Sequence, residues 1–65
     1  MLDLLTPEDL AQRLGMSVAA LSQWRYRGVG PKFIKAGKTI RYRVSDVESW
    51  MDAQTRQQSG SAVGA

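Results

Sequence analysis

Apolar residues recur along the first half of the chain at helical spacing, and each series stops at a glycine. Leu10 and Leu14 sit four apart before Gly15; Val18, Leu21 and Trp24 sit three apart before Gly28. Local start signals precede both series. Thr6-Pro7-Glu8-Asp9 places a capping hydroxyl, a proline at the first helical position and two acids on the positive end of the helix dipole. Leu5 before the cap and Leu10 within the helix form a hydrophobic staple, and Met16 and Leu21 repeat the device around Ser17. The pattern predicts helices over Pro7–Leu14 and Val18–Arg27. Ser45-Asp46-Val47-Glu48 reads as a full capping box, so a third helix is expected to begin there, with Val47, Trp50 and Met51 on one face.

Between the second and third helices the period changes from helical to alternating. Gly28-Val29-Gly30-Pro31 breaks the helix and forces an extended exit. Phe33-Ile34-Lys35 and Thr39-Ile40-Arg41-Tyr42-Arg43 read as two short strands joined by a tight turn at Ala36-Gly37-Lys38. In the second strand Ile40 and Tyr42 share a face suited to a core, while Thr39, Arg41 and Arg43 share one suited to water or phosphate. After about Gln54 the apolar periodicity ends, and the segment over 59–65 holds small residues with too little apolar surface to order itself. The expected organisation is one domain over residues 1–54 and a flexible C-terminal tail over 55–65.

The sharpest spacing is Ala11-x-x-x-Gly15-x-x-x-x-x-Leu21-x-x-Trp24. A small residue at 11 lets two helices approach, the glycine permits the positive φ of a tight turn, and Leu21 and Trp24 face back toward Leu10 and Leu14. This is the pattern of a helix-turn-helix, with an ordinary αα-corner as the alternative. With the hairpin added, the expected fold is α+β and mainly α: a winged helix-turn-helix, three helices with a two-stranded β-hairpin wing between helices two and three.

Composition narrows the chemistry. Sixty-five residues supply one small core, and the absence of cysteine and histidine removes disulfides and the usual zinc ligand sets. No metal and no cofactor is implied. Ordinary nucleophile–base pairs cannot be built, so the chain reads as a non-enzyme. No apolar run approaches the roughly 20 residues that span a bilayer, and residues 1–5 carry Asp3 where a signal peptide would be basic. A soluble, intracellular protein without a membrane partner is expected.

Charge turns the argument toward a partner. Net charge is only +3, yet seven of the nine basic residues lie between positions 25 and 43, and no acid lies between Asp9 and Asp46. Trp24, Tyr26, Phe33 and Tyr42 interleave that block, a combination suited to a polyanion. Taking Leu21 as the centre of the buried face of the second helix puts Ala19, Gln23 and Tyr26 on an outward stripe flanked by Ala20, Ser22 and Arg27. This stripe holds no acid. It can enter a major groove with Gln23 on an adenine edge and Ala19 against a thymine methyl, while Tyr26 and Ser22 contact phosphate. On the hairpin, Lys38 at the turn would reach the minor groove or its phosphates, with Lys35 nearby and Arg41 and Arg43 as backbone clamps. Arg25 points partly inward and reads as a structural or backbone-contacting arginine. Neutralising about four to six phosphates gives a salt slope of about −4 to −5.

With these residues placed, the chain resembles the excisionase (recombination directionality factor) family, whose small winged helix-turn-helix is related to the MerR-type DNA-binding domain. The resemblance is carried by Leu5-Thr6-Pro7-Glu8-Asp9-Leu10-Ala11, Leu14-Gly15-Met16-Ser17, Leu21-x-x-Trp24-Arg25-x-x-Gly28, Gly30-Pro31-x-Phe33-Ile34-Lys35-x-Gly37 and Arg41-Tyr42-Arg43-x-Ser45-Asp46-Val47-x-x-Trp50. It implies a cytoplasmic, nucleoid-associated DNA-bending protein of a bacteriophage or mobile element. Its implied partners are double-stranded DNA, neighbouring copies of itself on tandem sites, and an integrase that it directs toward excision. The family's recognition-helix contacts fall on Ala19, Ala20, Gln23 and Tyr26, and its wing-tip basic residue falls on Lys38. Two alanines stand where many relatives carry polar or charged residues, which favours shape and phosphate recognition over base readout. A phage or prophage transcriptional regulator with the same domain, and a basic module that docks an acidic protein, are the alternative readings.

Overall fold

A computed structural model describes the backbone of residues 3–64 and the side chains of residues 3–55. The chain runs β1 (Leu4–Leu5), α1 (Pro7–Leu14), α2 (Val18–Arg27), β2 (Ile34–Ala36), β3 (Thr39–Arg43) and α3 (Val44–Gly64). Both expected helix spans in the first half are observed without a shift, because their ends are set by bonds within one turn. Thr6 Oγ1 accepts from the Asp9 N–H at 3.0 Å and Asp9 Oδ2 accepts from the Thr6 N–H at 3.1 Å, a reciprocal box at the start of α1. Ser17 Oγ accepts from the Ala20 N–H at 3.0 Å and opens α2. Gly15 and Gly28 close the two helices in the left-handed conformation. The residue after each glycine donates back five positions, Met16 to Ala11 O and Val29 to Trp24 O, both at 2.9 Å.

The hairpin has a two-residue turn, since Ala36 pairs with Thr39 and only Gly37 and Lys38 lie between them. Gly37 carries φ 63° while Lys38 has no positive φ, the pattern of a type II′ turn that suits strand twist. The first strand of the hairpin lies one residue later than expected, at Ile34–Ala36.

Three features depart from the sequence reading. The sheet has three strands in the order β1-β3-β2, with Leu4 opposite Arg43 and Leu5 opposite Tyr42. Two residues are too few to show alternation, so β1 was invisible in the pattern. Second, α3 starts at Val44 and not at a Ser45 cap. Strand β3 runs directly into the helix, and the Val44 N–H donates to Asp3 O at 2.8 Å, so the carbonyl just before β1 satisfies a donor at the helix start. Third, the backbone is helical through Gly64, where a tail without regular structure was expected after Gln54. The stretch contains no proline, and its Gln, Arg, Ser and Ala tolerate helix geometry, while Gly60 disfavours it by only about 1 kcal/mol.

The core lies where α1, α2, β3 and α3 meet. Leu10, Leu21, Tyr42 and Val47 are each under 2% exposed, with Leu5 and Ala11 also buried, and Leu14, Met16, Trp24, Ile40 and Val44 pack against them. Each fully buried large side chain contributes about 1.5–3 kcal/mol. On α3 only Val47 of the expected apolar face is buried; Trp50 is half-buried and Met51 exposed. Trp50 meets Trp24 of α2 at 5.3 Å between ring centroids, tilted by 52°. Gly30 lies against Trp24 of this pair. A Cβ added there would stand 2.5 Å from Trp24 Cε3, so only glycine lets the loop after α2 cross the indole.

Candidate nucleic-acid interface

Side chains from three elements converge beside α2. A cleft of about 300 Å³ is lined by Pro7 and Glu8 from the start of α1, by Val18 and Arg25 from α2, and by Lys38, Thr39, Ile40 and Arg41 from the hairpin. The flank of the second helix and the cationic turn arm therefore border one concavity.

Helix geometry then orders the outer face of α2. From Leu21, Val18 and Arg25 lie about 60° and 40° round on the cleft side, and Ser22, Tyr26 and Ala19 follow on the same side at about 100°, 140° and 160°. All three are exposed, Tyr26 at 89%. Gln23 and Arg27 are exposed too, but lie on the flank away from the hairpin, as does half-buried Ala20. The outward stripe thus has a wing side (Ala19, Ser22, Tyr26) and a far side (Ala20, Gln23, Arg27).

The hairpin cations separate likewise. Lys38, at the turn, and half-buried Arg41 both line the cleft, and the Arg41 Nη1 donates to Ile40 O at 2.7 Å. Lys35 is exposed and stands opposite Ile40, on the strand face that also carries Tyr42. Arg43 does not join Arg41. It lies 3.8 Å from Asp46 Oδ2 and lines a separate hollow with Asp3 and Glu48, at the junction of β1 and α3.

Arg25 has its own arrangement. Its Nη1 donates to Tyr42 Oη at 2.8 Å, and its guanidinium sits 5.8 Å from the centroid of the Phe33 ring. Phe33 in turn lies 6.2 Å from the Tyr42 ring. The structural role expected for Arg25 is therefore present, and the same residue borders the cleft.

Sequence reasoning missed Glu8 as a member of this site, having assigned it only to the helix dipole. No local signal could have found it: it enters the cleft because β1 pairs with β3 and draws the start of α1 beside the hairpin.

A helix-turn-helix domain model matches residues 4–55, most of the chain. The chain belongs to the helix-turn-helix domain family. Helix-turn-helix domains of this family bind double-stranded DNA, and the second helix of the motif, here α2, is the element that enters the major groove in the general docking geometry. The match spans β1 and the hairpin as well as the two helices of the motif, so the whole winged unit belongs to the helix-turn-helix domain. Among curated proteins, none matches the chain. Among the described residues, no group of three or more His, Cys, Asp or Glu is placed to hold a metal ion, and no helix is long and apolar enough to cross a membrane.

Proposed function

We propose that this chain is an excisionase-type architectural protein: it binds duplex DNA, bends it, and directs an integrase toward excision. The observation that supports the reading is the shared cleft, in which α2 and the cationic hairpin border one concave surface. The helix-turn-helix family to which the chain belongs includes excisionase-like members.

In this reading α2 lies in the major groove. Gln23 reads an adenine edge, Ala19 meets a thymine methyl, Ala20 permits close approach, and Ser22, Tyr26 and Arg27 meet the backbone at the groove walls. Lys38 and Arg41 take phosphates on the wing side, and Lys35 adds an exposed cation on the other face of the strand. Ala19 and Ala20 at the front of the helix supply little base readout, so the choice of site rests largely on the shape and deformability of the DNA. Neighbouring copies occupy tandem sites, and the integrase is the protein partner.

A defined integrase reaction on the element's own attachment region tests this. Addition of the protein is expected to stimulate excision, with footprints on tandem sites and anomalous migration of circularly permuted fragments. Bending without stimulation would give a transcriptional regulator in place of an excisionase. No mobility shift at either low or moderate salt would give a protein-docking module and end the DNA reading.

A further inference from the structure

We infer that Arg25, Tyr42 and Phe33 form a clasp that sets the pitch of the hairpin against α2, so that one duplex meets both at a fixed spacing. The inference rests on the DNA-binding reading above. The clasp joins the two bordering elements directly. Arg25 leaves α2 at its last turn, and its Nη1 donates at 2.8 Å to the Tyr42 hydroxyl on β3. The guanidinium plane is seated near Phe33, just before β2, at 5.8 Å from the ring centroid. Phe33 and Tyr42 are themselves in tilted ring contact at 6.2 Å. One side chain of the recognition helix thus touches both strands' ends of the hairpin.

The rest of the α2–hairpin border is the open cleft, lined by exposed Val18 and by Lys38, Thr39 and Arg41. The cleft is open, so the clasp at its closed end adds to the core packing of Ile40 and Tyr42 and the pairing of β3 with β1 in setting the angle between helix and turn arm. Tyr42 is 1% exposed and Arg25 half-buried, which places the clasp at that end and not at the tip. A donor with a planar fork, held by a hydroxyl at one side and a ring at the other, fixes orientation in a way a single lysine ammonium does not. Arg25 is accordingly a positioning residue for Lys38 and Arg41.

The Tyr42→Phe variant tests this cleanly, because it removes only a hydroxyl and leaves every cation in place. Circular dichroism and tryptophan fluorescence first establish that it is folded. Hydroxyl-radical footprints and salt titrations are then compared with the unsubstituted protein. The clasp predicts that protection by the α2 side persists while protection by the hairpin side is lost, and that the salt slope becomes shallower by about one to two units although no charge has changed. An unchanged footprint and slope overturn the clasp and leave DNA binding intact; so does loss of both protected zones together, since the hydroxyl would then act on α2 itself. No footprint from the unsubstituted protein overturns the DNA reading instead. Should Tyr42→Phe fail to fold, Phe33→Leu keeps all charges and alters a 39%-exposed side chain. The same selective loss is expected there, and an unaltered footprint would reject the clasp.

Discussion

Substituting Gly30 by alanine isolates the contact that holds α2 in its rotation. The added Cβ would lie 2.5 Å from Trp24 Cε3 and 3.3 Å from Cδ2, and the backbone there has φ 88°. Gly28, two residues earlier, supplies the control: its φ is 74°, and a Cβ there meets nothing within 4 Å. Both alanine variants incur the left-handed backbone penalty of about 1–2 kcal/mol. Only Gly30→Ala adds an overpacking term, about 1–3 kcal/mol for atoms forced into a filled site. Trp24 is further confined by Trp50, whose ring centroid lies 5.3 Å from its own. The expected losses are about 1–2 kcal/mol for Gly28→Ala and about 2–5 kcal/mol for Gly30→Ala. A 65-residue domain has a total stability of only about 3–10 kcal/mol. Gly30→Ala is therefore expected to leave much of the population unfolded at 37 °C, and Gly28→Ala to lower Tm by about 5–15 °C. Urea titration followed by tryptophan emission measures both, since Trp24 and Trp50 report on this contact. Equal destabilisation by the two substitutions would show that the indole yields and that the rotation of α2, with the outward placement of Gln23 and Tyr26, is held elsewhere.

The remaining predictions concern the interface. Lys38→Ala is expected to weaken binding to all duplexes and flatten the salt slope by about one unit, whereas Arg43→Ala, already beside Asp46, is expected to leave the slope unchanged; equal effects in salt titrations would erase the distinction drawn between the two cations. Gln23→Ala is expected to cost about 1–3 kcal/mol at one base position with little change on random duplex, and equal loss on both would refute its base contact. Glu8→Gln removes a carboxylate from the cleft that holds Arg25, Lys38 and Arg41, and is expected to raise affinity for duplex of any sequence, most strongly at low salt. Unaltered affinity in a low-salt mobility shift would place Glu8 outside the bound surface.

Much of this architecture was legible because the bonds that set it are short in sequence. The caps at Thr6 and Ser17 and the closures at Gly15 and Gly28 each act within about five residues, so α1 and α2 could be read to the residue. The alternation at Ile40 and Tyr42 marked a core face, and the run of cations without an acid marked a polyanion surface. The same logic failed where a distant partner substituted for a local one. Ser45-Asp46-Val47-Glu48 had the letters of a capping box, yet α3 already begins at Val44, whose N–H goes to Asp3 O, so Ser45 lies inside the helix and not at its cap.

The sequence alone determined the helix-turn-helix, the hairpin and the sign of the surface, since propensity, capping and charge are properties of neighbours along the chain. Only the tertiary structure decided how the cations are divided. Pairing of β1 with β3 brought Glu8 into the cleft and Asp3 beside Arg43, and the packing of Tyr42 turned Arg25 from a surface charge into a tether. Whether a cation is free to meet phosphate depends on which carboxylate, hydroxyl or ring lies within a few ångströms of it. That distance is set by strand register and helix packing between residues far apart in the sequence.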